Sequence, residues 1–234
     1  MTAGLFYDQR NREVTDGLKL SERKRSLMES VTRDALYEAA VGLLREEGWK
    51  GFTMGKLAAR AGVAKGTVYN YFDGKGDVLF FVMERNGMRT AEALKSLADR
   101  VEAGEADPVE ALGEALQVAT SGMYRNRHVI AAIVRAFEDD PRLLARKRSC
   151  QDPKHPLVTI RDSMLRILEA GVRSGGLVEV DPRGAEAVIH CTMMGLGRLL
   201  ATEDRDSHGI GQEDISSLLT GIILHGLRRR GAEL

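Results

Sequence analysis

Phe52-Thr53-Met54-Gly55-Lys56-Leu57-Ala58-Ala59-Arg60-Ala61-Gly62-Val63-Ala64-Lys65-Gly66-Thr67-Val68-Tyr69-Asn70-Tyr71-Phe72-Asp73-Gly74-Lys75 decides how this chain is read. Two short helical patterns flank a tight glycine turn. Thr53 is placed to cap the first, with Leu57, Ala58 and Ala61 on its inward face. Gly62 ends it and Val63 can plug the core at the turn. The second pattern spans Lys65 to Phe72, with Val68 and Phe72 as core positions and Lys65, Thr67 and Asn70 facing out. Short helices that cross steeply need small residues at the crossing, and Ala58, Ala61 and Gly62 supply them. A helix that shows polar side chains at its N-terminal end while its other face holds a core is suited to the DNA major groove.

The surrounding chain reads as helix throughout. Leu27, Val31, Ala35/Leu36, Ala39 and Leu43/Leu44 recur at helical spacing between a Ser21 cap and a stop at Gly48. A fourth helix begins near Gly74 or Lys75 and extends to about Ala103. Asp107-Pro108-Val109-Glu110 opens another that runs towards Tyr124. His128–Glu138 follows and Asp140-Pro141 breaks it. A short helix and a loop then lead to the Leu157–Val172 helix, which Gly175-Gly176 ends. Asp181-Pro182 starts the next, and Ile215–Leu227 is the last. No strand alternation appears, so the fold expected is all-α with about nine helices. It divides into an N-terminal arm (1–20), a three-helix helix-turn-helix head (21–74) and a helical body (75–234).

Composition narrows the function classes. The 234 residues are 43% hydrophobic and 29% charged, and 34 Lys+Arg balance 34 Asp+Glu. Charge is uneven, however: Lys50, Lys56, Arg60, Lys65 and Lys75 face only Asp73 within 50–75. A basic segment on a neutral chain fits a phosphate-contacting module joined to a body with another task. Cys150 and Cys191 lack metal-ligand or CxxC spacing and are expected as free thiols in a reducing cytoplasm. The N-terminus lacks a secretory core, and no apolar run nears the roughly 18 residues of a membrane span. No nucleophile elbow, phosphate loop or paired catalytic carboxylates appear, so neither an enzyme nor a cofactor or metal requirement is expected.

Gly62 to Phe72, followed by Lys75, resembles the N-terminal domain of the TetR family of transcriptional regulators. The resemblance covers about the first 85 residues. Beyond them, Gly175-Gly176-Leu177 before Asp181-Pro182, and Gly195, are only loosely similar. It implies that Thr53 caps the second helix and touches a phosphate. Lys65, Gly66, Thr67 and Asn70 would face base edges or the adjoining backbone, Tyr69 and Tyr71 would lie against the sugar-phosphate chain, and Lys75 would hold a phosphate. Two departures stand out: Gly55 replaces a larger polar residue, and Gly76 an acid in the first turn of the fourth helix.

The same resemblance implies a homodimer through the last two helices (about 183–230) on a palindromic double-stranded operator, with half-sites about 34–36 Å apart or a multiple of that. Gly195, Gly197, Gly221 and Gly226 would allow close approach there. It also implies a small-molecule effector, largely apolar, that releases the protein from DNA. Met123, Tyr124, His128, Phe137, Met164, His190, Met193 and Met194 are the wall candidates, since methionine fills irregular space. The competing class is a helical small-molecule or lipid carrier whose head no longer binds DNA.

Overall fold

The computed structural model describes residues 20–149, 152, 155–201 and 212–229. The N-terminal arm up to 19, Cys150 and the 202–211 part of the expected dimer region lie outside them. Ten helices occur among the described residues: α1 Leu20–Gly51, α2 Met54–Ala61, α3 Lys65–Tyr69, α4 Lys75–Glu102, α5 Pro108–Arg125, α6 Arg127–Asp139, α7 Pro141–Ser149, α8 Pro156–Arg173, α9 Pro182–Ala201 and α10 Gln212–Leu227. The all-α expectation holds, with ten helices against about nine expected; the short helix after Pro141 is among those expected.

Local chemistry sets most of the boundaries. Thr53 is extended (φ −136°, ψ 153°) and its Oγ1 accepts the Lys56 amide at 3.2 Å, satisfying one orphan donor of α2. Gly62 closes α2 at φ 69°, a left-handed position that favours glycine. Asp107 caps α5, its Oδ1 accepting from the amides of Val109 at 2.9 Å and Glu110 at 3.0 Å. Asp181 does the same for Gly184 at the start of α9. Two boundaries differ from expectation. Ser21 lies inside α1, which begins at Leu20. α3 stops at Tyr69 rather than Phe72, because Tyr71 and Phe72 both return their amides to the Val68 carbonyl in a tightening last turn.

Gly48 breaks α1 internally, at φ 66° and ψ −173°. That region is almost exclusive to glycine. A Cβ built there meets nothing within 4 Å, so the constraint is purely of the backbone. Gly48→Ala is therefore expected to destabilise the fold by roughly 1–3 kcal/mol, measured by denaturant unfolding. An unchanged midpoint would show that the turn relaxes without strain.

Two apolar clusters organise the helices. The first joins the head to its neighbours: Leu36, Leu43, Phe52, Leu57, Val68 and Phe72 pack with Val78, Leu79 and Val82 of α4 and with Ala132, Ile133 and Phe137 of α6. The second lies further along α4 and holds Leu94, Leu97, Leu112, Leu116, Ile167 and Leu168. The 28 residues of α4 span about 42 Å at 1.5 Å per residue, enough to serve both. α8 lies along α4, and α6 packs on both α1 and α9. Arg166 of α8 clamps α4 by donating to Asp99 at 2.7 Å and to Glu102 at 2.5 and 2.6 Å. Hydrogen bonds from Lys95 and Arg166 hold the Asp99 carboxyl below its ordinary range, and the bond from Arg166 does so for Glu102. The end of α10 is tied to the α8–α9 turn by Val178 N–H to the Leu227 carbonyl (2.7 Å) and Arg229 N–H to the Gly176 carbonyl (3.2 Å).

Candidate nucleic-acid interface and internal cavity

α3 separates the two requirements on its short length. Val68 is wholly buried, and Phe72 just beyond it is 6% exposed and set 5.2 Å from the Phe81 ring. Thr53, Lys65, Gly66, Tyr69 and Asn70 are exposed, while Thr67, Tyr71 and Lys75 are half-buried. The outward residues of the expected reading set are thus open to solvent around α2 and α3. The Lys65 ammonium lies 5.9 Å from the Tyr69 ring centre, a cation–π pair on the outer surface. Gly55 is exposed with open space before it, so a side chain there would enter solvent rather than the core.

The basic segment looks different in three dimensions. Lys50 pairs with Asp139 at 3.2 Å, Lys56 with Glu47, and Arg60 with Glu46 by two bonds of 2.6 and 2.8 Å. Lys75 turns back over the Trp49 ring, 4.3 Å from its centre, with Nζ 3.5 Å from the Trp49 carbonyl. Lys65 has no carboxylate partner among the described residues. The excess of charge counted along 50–75 is largely answered by Glu46, Glu47 and Asp139, which lie outside that window. The acid missing at Gly76 is supplied one residue later: Asp77 accepts the Gly74 amide at 3.0 Å and pairs with Arg146 of α7 at 2.5 Å. Gly76 instead makes room for Leu143, whose Cδ2 would stand 3.2 Å from a Cβ at that position.

Between α4, α5, α6, α8 and α9 lies a cavity of about 220 Å³. Met123, Phe137, Met164, His190, Met193 and Met194 line it; Tyr124 and His128 do not. Tyr124 lies under the Arg127 guanidinium instead, 5.5 Å away, and His128 is exposed. The wall also includes residues that sequence reasoning passed over: Asn86 and Thr90 on α4, Arg161 on α8 and Glu186 on α9. The helical spacing of Glu186, Ile189, His190 and Met193 on one face of α9 carries this signal, but the apolar pattern alone gave no reason to include a carboxylate. Burial pushes the Glu186 carboxyl up from its ordinary value, Arg161 pulls it down and Asp162 pushes it up. Gly197 faces inward against Met123 and Ile130, 3.3 and 3.4 Å from where its Cβ would stand, whereas Gly195, Gly221 and Gly226 face open space.

Residues 36–80 match the model of bacterial regulatory proteins of the tetR family. Among curated proteins, none matches the sequence. Solved structures share the fold. The fatty acid degradation regulator FadR from Bacillus halodurans is 22% identical, with a TM-score of 0.66 over 85% of this chain and 97% of that one. NalD, the secondary repressor of the MexAB-OprM multidrug efflux pump in Pseudomonas aeruginosa, is 20% identical, with a TM-score of 0.64 over 85% and 98%. SmeT in complex with triclosan is 20% identical, with a TM-score of 0.64 over 87% and 94%.

Proposed function

We propose, because the chain belongs to the TetR family of bacterial regulatory proteins, that this DNA-binding transcriptional regulator is a homodimeric repressor released from its operator by a small molecule. The family is one of regulators, not enzymes. No helix among the described residues is long and apolar enough to cross a membrane, and we take the site of action to be the cytoplasm. The head (21–74) would hold DNA and the body (75–234) would pair the subunits and bind the effector.

The observation that carries the reading is the division of α3: Val68 is buried, while Lys65, Gly66 and Tyr69 stand outward, with Asn70 exposed just past its end. Lys65, Gly66, Thr67 and Asn70 would then meet base edges or the adjoining backbone. Thr53, Tyr69, Tyr71 and Lys75 would fix the register on phosphates and sugars. For Lys75 this requires leaving the Trp49 ring. On the body, Val188, Leu218 and Ile222 are 65%, 57% and 71% exposed, an apolar surface on α9 and α10 that a second copy would cover. NalD is named a repressor and SmeT was solved with triclosan, which favours repression and a small apolar effector here.

Transmission would use α6 as well as α4. Met83, Ile133 and Phe137 line the cavity and also belong to the apolar cluster of the head. A ligand that displaces them acts directly on the packing around α1. It weakens DNA binding to the extent that it prefers the displaced arrangement.

Gel-shift titration against the chain's own upstream DNA tests the reading. With Lys65 and Lys75 on each of two heads releasing counterions, log affinity should fall with log salt at a slope of about −3.6, roughly 150-fold between 50 and 200 mM. A flat response, or a clean monomer at micromolar concentration in light scattering, would overturn it in favour of a carrier whose head has lost DNA.

A further inference from the structure

We propose that the cavity takes an apolar molecule bearing one cationic, hydrogen-bond-donating amine, with Glu186 as its counter-charge. The proposal rests on the reading of the cavity as the effector site. Most of the wall is apolar, with Met83, Ile133, Phe137, Met164 and Met193 contributing carbon and sulfur. Such a surface selects hydrophobic ligands by area, and orientation is left to the few polar groups placed in it.

Those polar groups decide the sign of the ligand's charge. Arg161, Glu186 and His190 are the ionisable side chains on the wall. Arg161 donates from Nε at 3.2 Å and Nη2 at 3.1 Å to Asp162 Oδ1, so its hydrogen bonds go to its own helix and it reaches Glu186 only through its charge. Glu186 is half-buried and accepts no hydrogen bond from any described residue. A carboxylate held partly away from water without a donor gains most from a ligand that brings one. A carboxylate ligand would have to draw Arg161 away from Asp162 and sit beside Glu186. An ammonium meets a ready acceptor, with Thr90 and Asn86 on the α4 wall able to take further polar contacts. The preference thus runs opposite to that of a fatty-acid site, although a fatty acid regulator shares the fold.

Isothermal titration of the full-length protein with octylammonium, octanol and octanoate tests the charge while holding the chain constant. Octylammonium should bind at least 10-fold more tightly than octanol, and octanoate more weakly than both, because a charge-assisted hydrogen bond contributes about twice a neutral one. Glu186→Gln should weaken octylammonium 10-fold or more and leave octanol within about twofold, the octanol result also showing that the variant is folded. Ala119→Leu, which fills the cavity, should reduce binding of all three. Octanoate binding best, or octylammonium unaffected by Glu186→Gln, overturns the assignment of charge and leaves the cavity as a ligand site. Binding of no probe, or binding of all three unchanged in Ala119→Leu, overturns the cavity reading as well.

Discussion

Phe72→Ala is expected to lower the unfolding free energy by about 3–5 kcal/mol and to abolish DNA binding with it. Phe72 is 6% exposed at the junction of the head and α4, packed against Phe81 at 5.2 Å and tilted beside Tyr71. Truncation removes the transfer free energy of the ring and leaves a space that its neighbours cannot close. Val68 and Leu57 are fully buried, and Phe52 nearly so. The loss would fall on the piece of core that sets α3 against α2. The check is paired: denaturant unfolding for the stability loss, and gel shift at a temperature where the variant is still folded. Phe72→Leu should recover most of the stability, since it restores much of the volume. A variant of Phe72→Ala with wild-type stability would show that this ring does not hold the head together.

Tyr69→Ala combined with Thr67→Ala should do the opposite, weakening operator binding while sparing the fold and the dimer. Tyr69 is 47% exposed and its ring contacts outward-facing Lys65 rather than the core. Its removal leaves no cavity, so stability should change by no more than about 0.5 kcal/mol, as for surface substitutions in general. Each contact to DNA of this kind is worth about 1–3 kcal/mol, so each substitution should weaken binding by roughly 5- to 150-fold. The two probes differ in kind. Loss of Thr67 should alter the preference among operator variants if it meets a base edge, while loss of Tyr69 should weaken all sequences alike if it lies on the backbone. Unchanged affinity in both would remove α3 from the interface.

Read together, these two results separate what holds the head from what it holds. They also bear on Lys75, for which the family resemblance implies a phosphate contact and which the structure places on the Trp49 ring. Cation–π contact at a half-exposed site is worth about 0.5–1 kcal/mol. A phosphate could compete with that, so a Lys75 that holds DNA would have to leave the ring when it binds.

Much was legible in the sequence because it is decided within one helical turn. The Thr53 cap, the Gly62 stop, the Gly48 break and the Asp107-Pro108 and Asp181-Pro182 starts depend on local backbone geometry and on side chains two or three residues away. The buried and exposed sides of α3 follow from spacing alone. What only the tertiary structure decided involves groups distant in sequence. Glu46, Glu47 and Asp139 neutralise Arg60, Lys56 and Lys50, so the charge counted along a window is not the charge of the surface. Five helices meet to form the cavity, bringing Glu186 and Thr90 to its wall and leaving Tyr124 and His128 away from it. Periodicity states which face of each helix is turned inward, but not which face it meets. That pairing depends on crossing angles and offsets between helices, set by the fit of all their side chains at once.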